Sequence, residues 1–160
     1  MTKTNDMEKW EPCKWIEKNT YILDKVSYSF QESTDLLKIT IFPFNNKEKR
    51  YKITIVNIFS YRITDEHLLC SQYDNNDFKT ICPEDDYCIY WIQNSKYIEE
   101  LNGRGIYDLH KELKLLHYLI QTDLHIIDLL LDNNSEITIS EMTNGILTKK
   151  MFHRPVLRDL

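Results

Sequence analysis

Between Tyr21 and Glu66 apolar and polar residues alternate with a period of two, the spacing at which successive side chains point to opposite faces of a sheet. The clearest run begins at Tyr51. Tyr51, Ile53, Ile55, Phe59, Tyr61 and Ile63 fall on one face with Asn57 out of character, while Lys52, Thr54, Ser60 and Arg62 take the other. Leu36 to Phe44 is β-branched and aromatic, and the polar Asn45 to Glu48 joins it to the Tyr51 run as a hairpin. Tyr21 to Glu32 reads as the strand before, closing through Ser33, Thr34 and Asp35, so the first half is a three-strand meander.

The second half is less uniform. Residues 71 to 86 are polar, acidic and contain Pro83, which marks a loop; Tyr87 to Gln93 returns to strand character. Ser95 caps a short helix with Ile98 and Leu101 on one side, Glu99 and Glu100 in its early turns, and Gly103 as its stop. Leu109, Leu113, Leu116 and Ile120 follow a helical period, and periodicity favours a helix to about residue 120, although His117 to Thr122 also fits a strand. Leu124 to Asp132 is equally ambiguous. Asn133-Asn134 reads as a turn into a short strand, Glu136 to Ser140, with Ile137 and Ile139 on one face. The first twenty residues, with Trp10, Trp15 and Ile16, read as an irregular or short helical lead-in covering a sheet edge or a core end. From Thr143 a tail carrying Lys149, Lys150, Arg154 and Arg158 is expected to be loosely packed, its charge solvated. With no repeat or linker, residues 1–160 form one domain of the α+β class, mainly antiparallel β-sheet with one or two short helices.

Composition supports this picture. At 160 residues, 42% hydrophobic and 28% charged, the chain has enough apolar surface for a packed core. Ten Tyr and 6 Phe against 3 Gly and 4 Pro favour pleated surfaces. A formal net charge of −5 argues against electrostatic binding of nucleic acid and suits either plain solubility or a basic protein partner. The polar opening residues lack a secretory h-region and no apolar run approaches the ~20 residues of a membrane span, so a cytoplasmic location is expected. There Cys13, Cys70, Cys82 and Cys88 are expected as thiols, since they lack close zinc-ligand pairs.

Catalytic signatures are missing from the sequence: Gly103, Gly105 and Gly145 cannot build a phosphate loop, and none of the common hydrolase or metalloprotease motifs occurs. No cofactor or metal is expected. His110, His117 and His125 would share a face only on one continuous helix, and no carboxylate or Cys joins them at ligand spacing. The pairs Asp65 with Glu66, and Asp123 with Asp128, read first as strand-end and turn residues; a small enzyme built on His117, Asp65 and Asp128 meeting across the sheet is the catalytic alternative. For partner binding the better material is the acidic, aromatic stretch Tyr73, Asp74, Asp77, Phe78, Glu84, Asp85, Asp86 and Tyr87, because aromatics anchor interfaces and carboxylates complement a basic partner. The bland reading of the same stretch is a solvated loop. A self-associating structural subunit is the other alternative.

Three segments, Phe59-Ser-Tyr-Arg-Ile-Thr-Asp-Glu66, Tyr90-Trp-Ile-Gln-Asn-Ser-Lys-Tyr-Ile98 and Leu116-His-Tyr-Leu-Ile-Gln-Thr-Asp-Leu-His-Ile-Ile-Asp128, together resemble small bacterial immunity proteins found beside polymorphic or secreted toxins. The resemblance runs over roughly residues 20 to 140. It implies a compact antiparallel-sheet α+β domain in which the His117-Tyr118 segment is a strand, paired with Ile126 to Leu130 across a Thr122 to His125 turn. It also implies function by binding, with a toxin blocked at its active site or an exosite. Asn133-Asn134-Ser135 stands where the family pattern often has Pro, and the basic tail beyond 143 is additional.

Overall fold

A computed structural model describes residues 7–65, 82, 84, 86–104 and 114–154. The alternating segments become strands: β1 (Lys9–Pro12), β2 (Tyr21–Gln31), β3 (Thr34–Pro43), β4 (Lys49–Asp65), β5 (Ile89–Gln93), β6 (Leu116–Gln121), β7 (His125–Thr143) and β8 (Ile146–His153). Helix α1 (Lys96–Gly103) follows β5. All pairings are antiparallel, in the order β1-β5-β6-β7-β4-β3-β2, with β8 on β7 beside that path. Among the described residues no helix is long and apolar enough to cross a membrane.

The expected meander is present, with its first turn one step earlier than the composition suggested. Glu32 and Ser33, at φ 50° and 64°, make the two-residue connection, and Thr34 already pairs with Gln31. Two positive φ values suit the right-handed strand twist, so the twist sets the turn even without glycine. Residues 109 to 120 are not one helix. Residues 105–113 lie outside the description, and Leu116–Gln121 is a strand paired with β5 on one side and β7 on the other. Five of its six residues are buried, so both faces are covered and its apolar positions mimic a helical period.

Asn57 explains the bend of the sheet. Val56 pairs with Glu136 and Ile58 with Leu131, so one residue of β4 stands opposite four of β7, Asp132 to Ser135. Asn57 adopts φ 58°, a conformation that Asn tolerates better than most side chains. The excursion is pinned from both strands: Ser135 Oγ donates to the Asn57 carbonyl (2.6 Å), Asn57 Nδ2 donates to the Asn134 carbonyl (3.3 Å), and Asp132 Oδ1 accepts from Asn134 N (2.8 Å). The Asn133-Asn134 turn expected from sequence is thus an excursion within β7 and not a reversal between strands. A second irregularity between Ile58 and Ser60 shifts the face once more, so Ile58 is buried and Ile63 is exposed.

On either side of this bend lie two half-sheets, and one hydrophobic cluster takes inner residues from both. Leu37, Ile39, Ile41, Tyr51, Ile53 and Ile55 come from one half; Ile89, Tyr118, Ile120, Ile127 and Leu129 come from the other. The ends are tied together where Asp123 N donates to the Tyr21 carbonyl (2.8 Å) and where Trp15 stacks on His153 (4.1 Å) while packing against Tyr118. The second half-sheet also buries its outer face, around Trp10, Cys82, Tyr90, Ile92, Leu119 and Ile126. The lead-in supplies an edge strand, β1, together with Trp15 and Ile16 as core cover. The expected loose tail contains strand β8, largely exposed, with Met151 packed on the core.

Two substitutions test this account. Asn57→Val places a β-branched side chain at positive φ and should lower stability by about 1–2 kcal/mol, whereas Asn57→Gly should stay within about 1 kcal/mol of the parent in urea unfolding. Leu119→Pro should abolish soluble expression, since it removes a ladder donor from a strand paired on both edges; a normally folded Leu119→Pro protein would refute the assigned pairing.

Candidate functional site

The described part of the acidic, aromatic stretch is Glu84, Asp86 and Tyr87; Tyr73, Asp74, Asp77, Phe78 and Asp85 lie outside the described residues. Asp86 and Tyr87 line a cleft of about 560 Å³ with Lys18, Asn19, Thr20 and Tyr21, which lead into β2, and with the β6–β7 turn Gln121 to Asp123. That turn is rigid for a local reason: Thr122 N and Oγ1 both donate to the His125 carbonyl, and Thr122 Oγ1 accepts from His125 N. The neighbouring strand start is fixed by Tyr90, whose hydroxyl donates to the Glu84 carbonyl (2.9 Å), and by the Cys88 thiol, donating to the Gln121 carbonyl (3.2 Å). Complete burial pushes the Cys88 thiol far up from its ordinary value, so it stays protonated.

Charges at this rim are loosely paired. Asp86 meets Lys18 at 3.8 Å and Glu84 meets Lys14 at 4.0 Å, with all four side chains more than half exposed. Lys18 and Lys14 also lie 5.0 and 5.7 Å from the Tyr87 ring centroid. Such exposed pairs are worth roughly 0–1 kcal/mol, so an incoming cation can displace either lysine at small cost. The amide oxygen of Gln121, in the cleft wall, is buried without a hydrogen-bond partner. The rim therefore offers carboxylates and one aromatic face on a fixed frame.

A second polar assembly lies between α1 and the outer face of the sheet. Ser95, the helix cap, accepts from Ile98 N (3.1 Å) and sits 2.7 Å from His117 Nδ1; His117 Nε2 is 2.8 Å from Asp128 Oδ1; Arg62 Nε donates to Asp128 Oδ2 (3.0 Å). Arg62 lies 4.1 Å from the Tyr97 ring centroid, and the Tyr97 hydroxyl is 3.1 Å from Ser60 Oγ. Glu8, buried, accepts from Trp10 Nε1 and from Lys96 N, setting a carboxylate at the helix N-terminus. Burial pushes the Asp128 carboxyl up, but the His117 contact and the Arg62 guanidinium outweigh it and hold the group below the ordinary carboxylate value. With Asp128 ionised, Nε2 of His117 donates to its carboxylate.

His117 and Asp128 do meet across the sheet, whereas Asp65 is registered opposite His125 at the end of β4 and stands outside the chain. His117 and His125 belong to different strands, which removes the shared helical face; His110 lies outside the described residues. Ser95 is legible in the sequence as a cap only. Arg62 and Glu8 carry no sequence signal beyond being charged positions near apolar runs, because their partners come from distant strands.

The folded Asp128 pKa is depressed, so its contribution to stability is complete above the unfolded carboxylate value and is lost as pH falls through the lower, folded value. Asp128→Asn should flatten the acid limb of the stability curve below about pH 5 and cost about 3 kcal/mol at neutral pH in urea unfolding, as when a buried ion pair loses one member. Compared with known proteins, the chain matches no family model, no curated protein and no solved structure.

Proposed function

We propose that the protein is a non-catalytic protein-binding module, acting as an immunity protein that neutralises a bacterial toxin. The observation that carries the binding reading is the rim of Glu84, Asp86 and Tyr87, exposed or half-buried side chains held on a fixed strand start beside a polar cleft. An aromatic flanked by weakly committed carboxylates suits a basic partner surface, where the aromatic anchors and the charges steer. The toxin as partner is supported by the likeness of the three segments quoted above to immunity proteins. A pull-down with tagged protein from its source cell, followed by co-expression with the recovered partner, tests both parts. One stoichiometric partner whose toxicity is lifted is the expected result. Glu84→Lys with Asp86→Lys should weaken that capture at least about tenfold while leaving thermal unfolding unchanged. Recovery of the protein's own copies alone would shift the reading to self-association.

A second reading is favoured by one specific observation, the Ser95–His117–Asp128 chain, whose residue types are those of acyl-transfer enzymes. Against it, the Ser95 hydroxyl is buried beneath α1 and committed to the Ile98 N–H. Hydrolysis of an activated ester that disappears in Ser95→Ala would establish this reading; the expected outcome is that Ser95→Ala changes stability and leaves partner capture intact.

A further inference from the structure

The outer face of the first half-sheet is basic although the chain as a whole is acidic. Inward residues Leu37, Ile39, Tyr51, Ile53, Ile137 and Ile139 are buried, so their neighbours in sequence face outward. Strand register then aligns Lys25 with Thr40, Thr40 with Lys52, Lys52 with Ser140 and Ser140 with Lys150, one row crossing β2, β3, β4, β7 and β8. The next row reads Ser27, Lys38, Thr54, Thr138 and Phe152. Arg50 on this face is paired with Asp24, and Glu136 at its border with Arg154. Among the described residues none of the four lysines, 25, 38, 52 and 150, takes part in an ion pair; Lys150 has only the Phe152 ring, at 5.2 Å.

We infer that this face binds an acidic helical segment of a partner protein. Lys38 lies diagonal to both Lys25 and Lys52 on the neighbouring strands, and Lys150 stands two strands beyond Lys52, so the like charges repel one another and an anionic partner relieves that repulsion. The spacing favours a helix: Lys25, Lys52 and Lys150 stand two strands apart in turn, about 10 Å each, matching the ~10.5 Å between residues seven apart on an α-helix. The serines and threonines between them keep the face flat and offer hydroxyls to carboxylates. A nucleic-acid strand fits less well, since the row of Lys25, Thr40, Lys52, Ser140 and Lys150 itself carries no aromatic, the Phe152 ring of the next row offers a single stacking face at its β8 end, and the net charge of −5 opposes a polyanion. The face shares no residue with the Tyr87 cleft, so this inference stands apart from the proposed immunity function.

The experiment is fluorescence anisotropy of the full chain with a synthetic helical peptide carrying glutamates one heptad apart, its Gln-for-Glu counterpart, and labelled single-stranded and duplex DNA. The glutamate peptide should bind in the micromolar range or tighter, the Gln peptide should not, and raising salt should weaken binding. Lys52→Glu and Lys150→Glu should each reduce affinity about tenfold, whereas Lys47→Glu in the β3–β4 turn should not. Circular dichroism melts confirm that each variant is folded. Peptide affinity unchanged by both reversals, no peptide binding by the folded parent, or tighter binding to DNA than to the peptide would each overturn the inference.

Discussion

One residue of β4 opposed by four of β7 is the constraint on which the rest of the structure depends. Without the excursion at Asn57 and Asp132 to Ser135, strands as long as β4 and β7 would run on as one continuous twisted ribbon with the same face inward along its whole length. With it, the inner faces of the two half-sheets contribute to one core. Among the described residues, much of the isoleucine is thereby buried by the sheet and a few covering aromatics.

The same bend separates the polar features. Inside the second half-sheet, Asp128 and Arg62 are brought together under α1 by strand pairing, and Ser95 and His117 extend the chain to the helix cap. A buried carboxylate costs several kcal/mol in lost hydration unless such partners surround it. Here they do, and the arrangement fixes the helix to one position on the sheet. At the sheet end, by contrast, Asp86, Glu84 and their lysines stay in water, where electrostatic pairing is weak and readily exchanged. One set of charges holds the fold together, and the other is available to a partner.

Much of the first half was legible in the sequence because each strand there shows one face to water. Tyr51, Ile53 and Ile55 alternate cleanly, and Asn57, the position that broke the pattern, marks the bulge. The second half was not, for the opposite reason. Leu116 to Gln121 and Ile126 to Leu131 are buried on both faces, so period two vanishes from their pattern and periodicity alone does not separate a helix from the hairpin they form. The cap Ser95 was readable from local chemistry, yet its link to His117 and Asp128 depends on register between strands far apart in sequence. The lysine row is hidden for the same reason: its members lie on three different strands, and only the ladder brings them into line.

The pairing of β4 with β7 also has a kinetic side. Tyr51 lies opposite Glu141 and Trp10 opposite Ile92, so the central and edge ladders close only over long stretches of chain. During synthesis the β2–β3–β4 meander can form early from local turns, but its free edge on β4 must wait for β7 to leave the ribosome. Such non-local topologies fold slowly, and a waiting strand edge is open to wrong partners. The outward side of that meander carries Lys25, Lys38, Arg50 and Lys52, charges of one sign that disfavour stacking of one half-formed sheet on another.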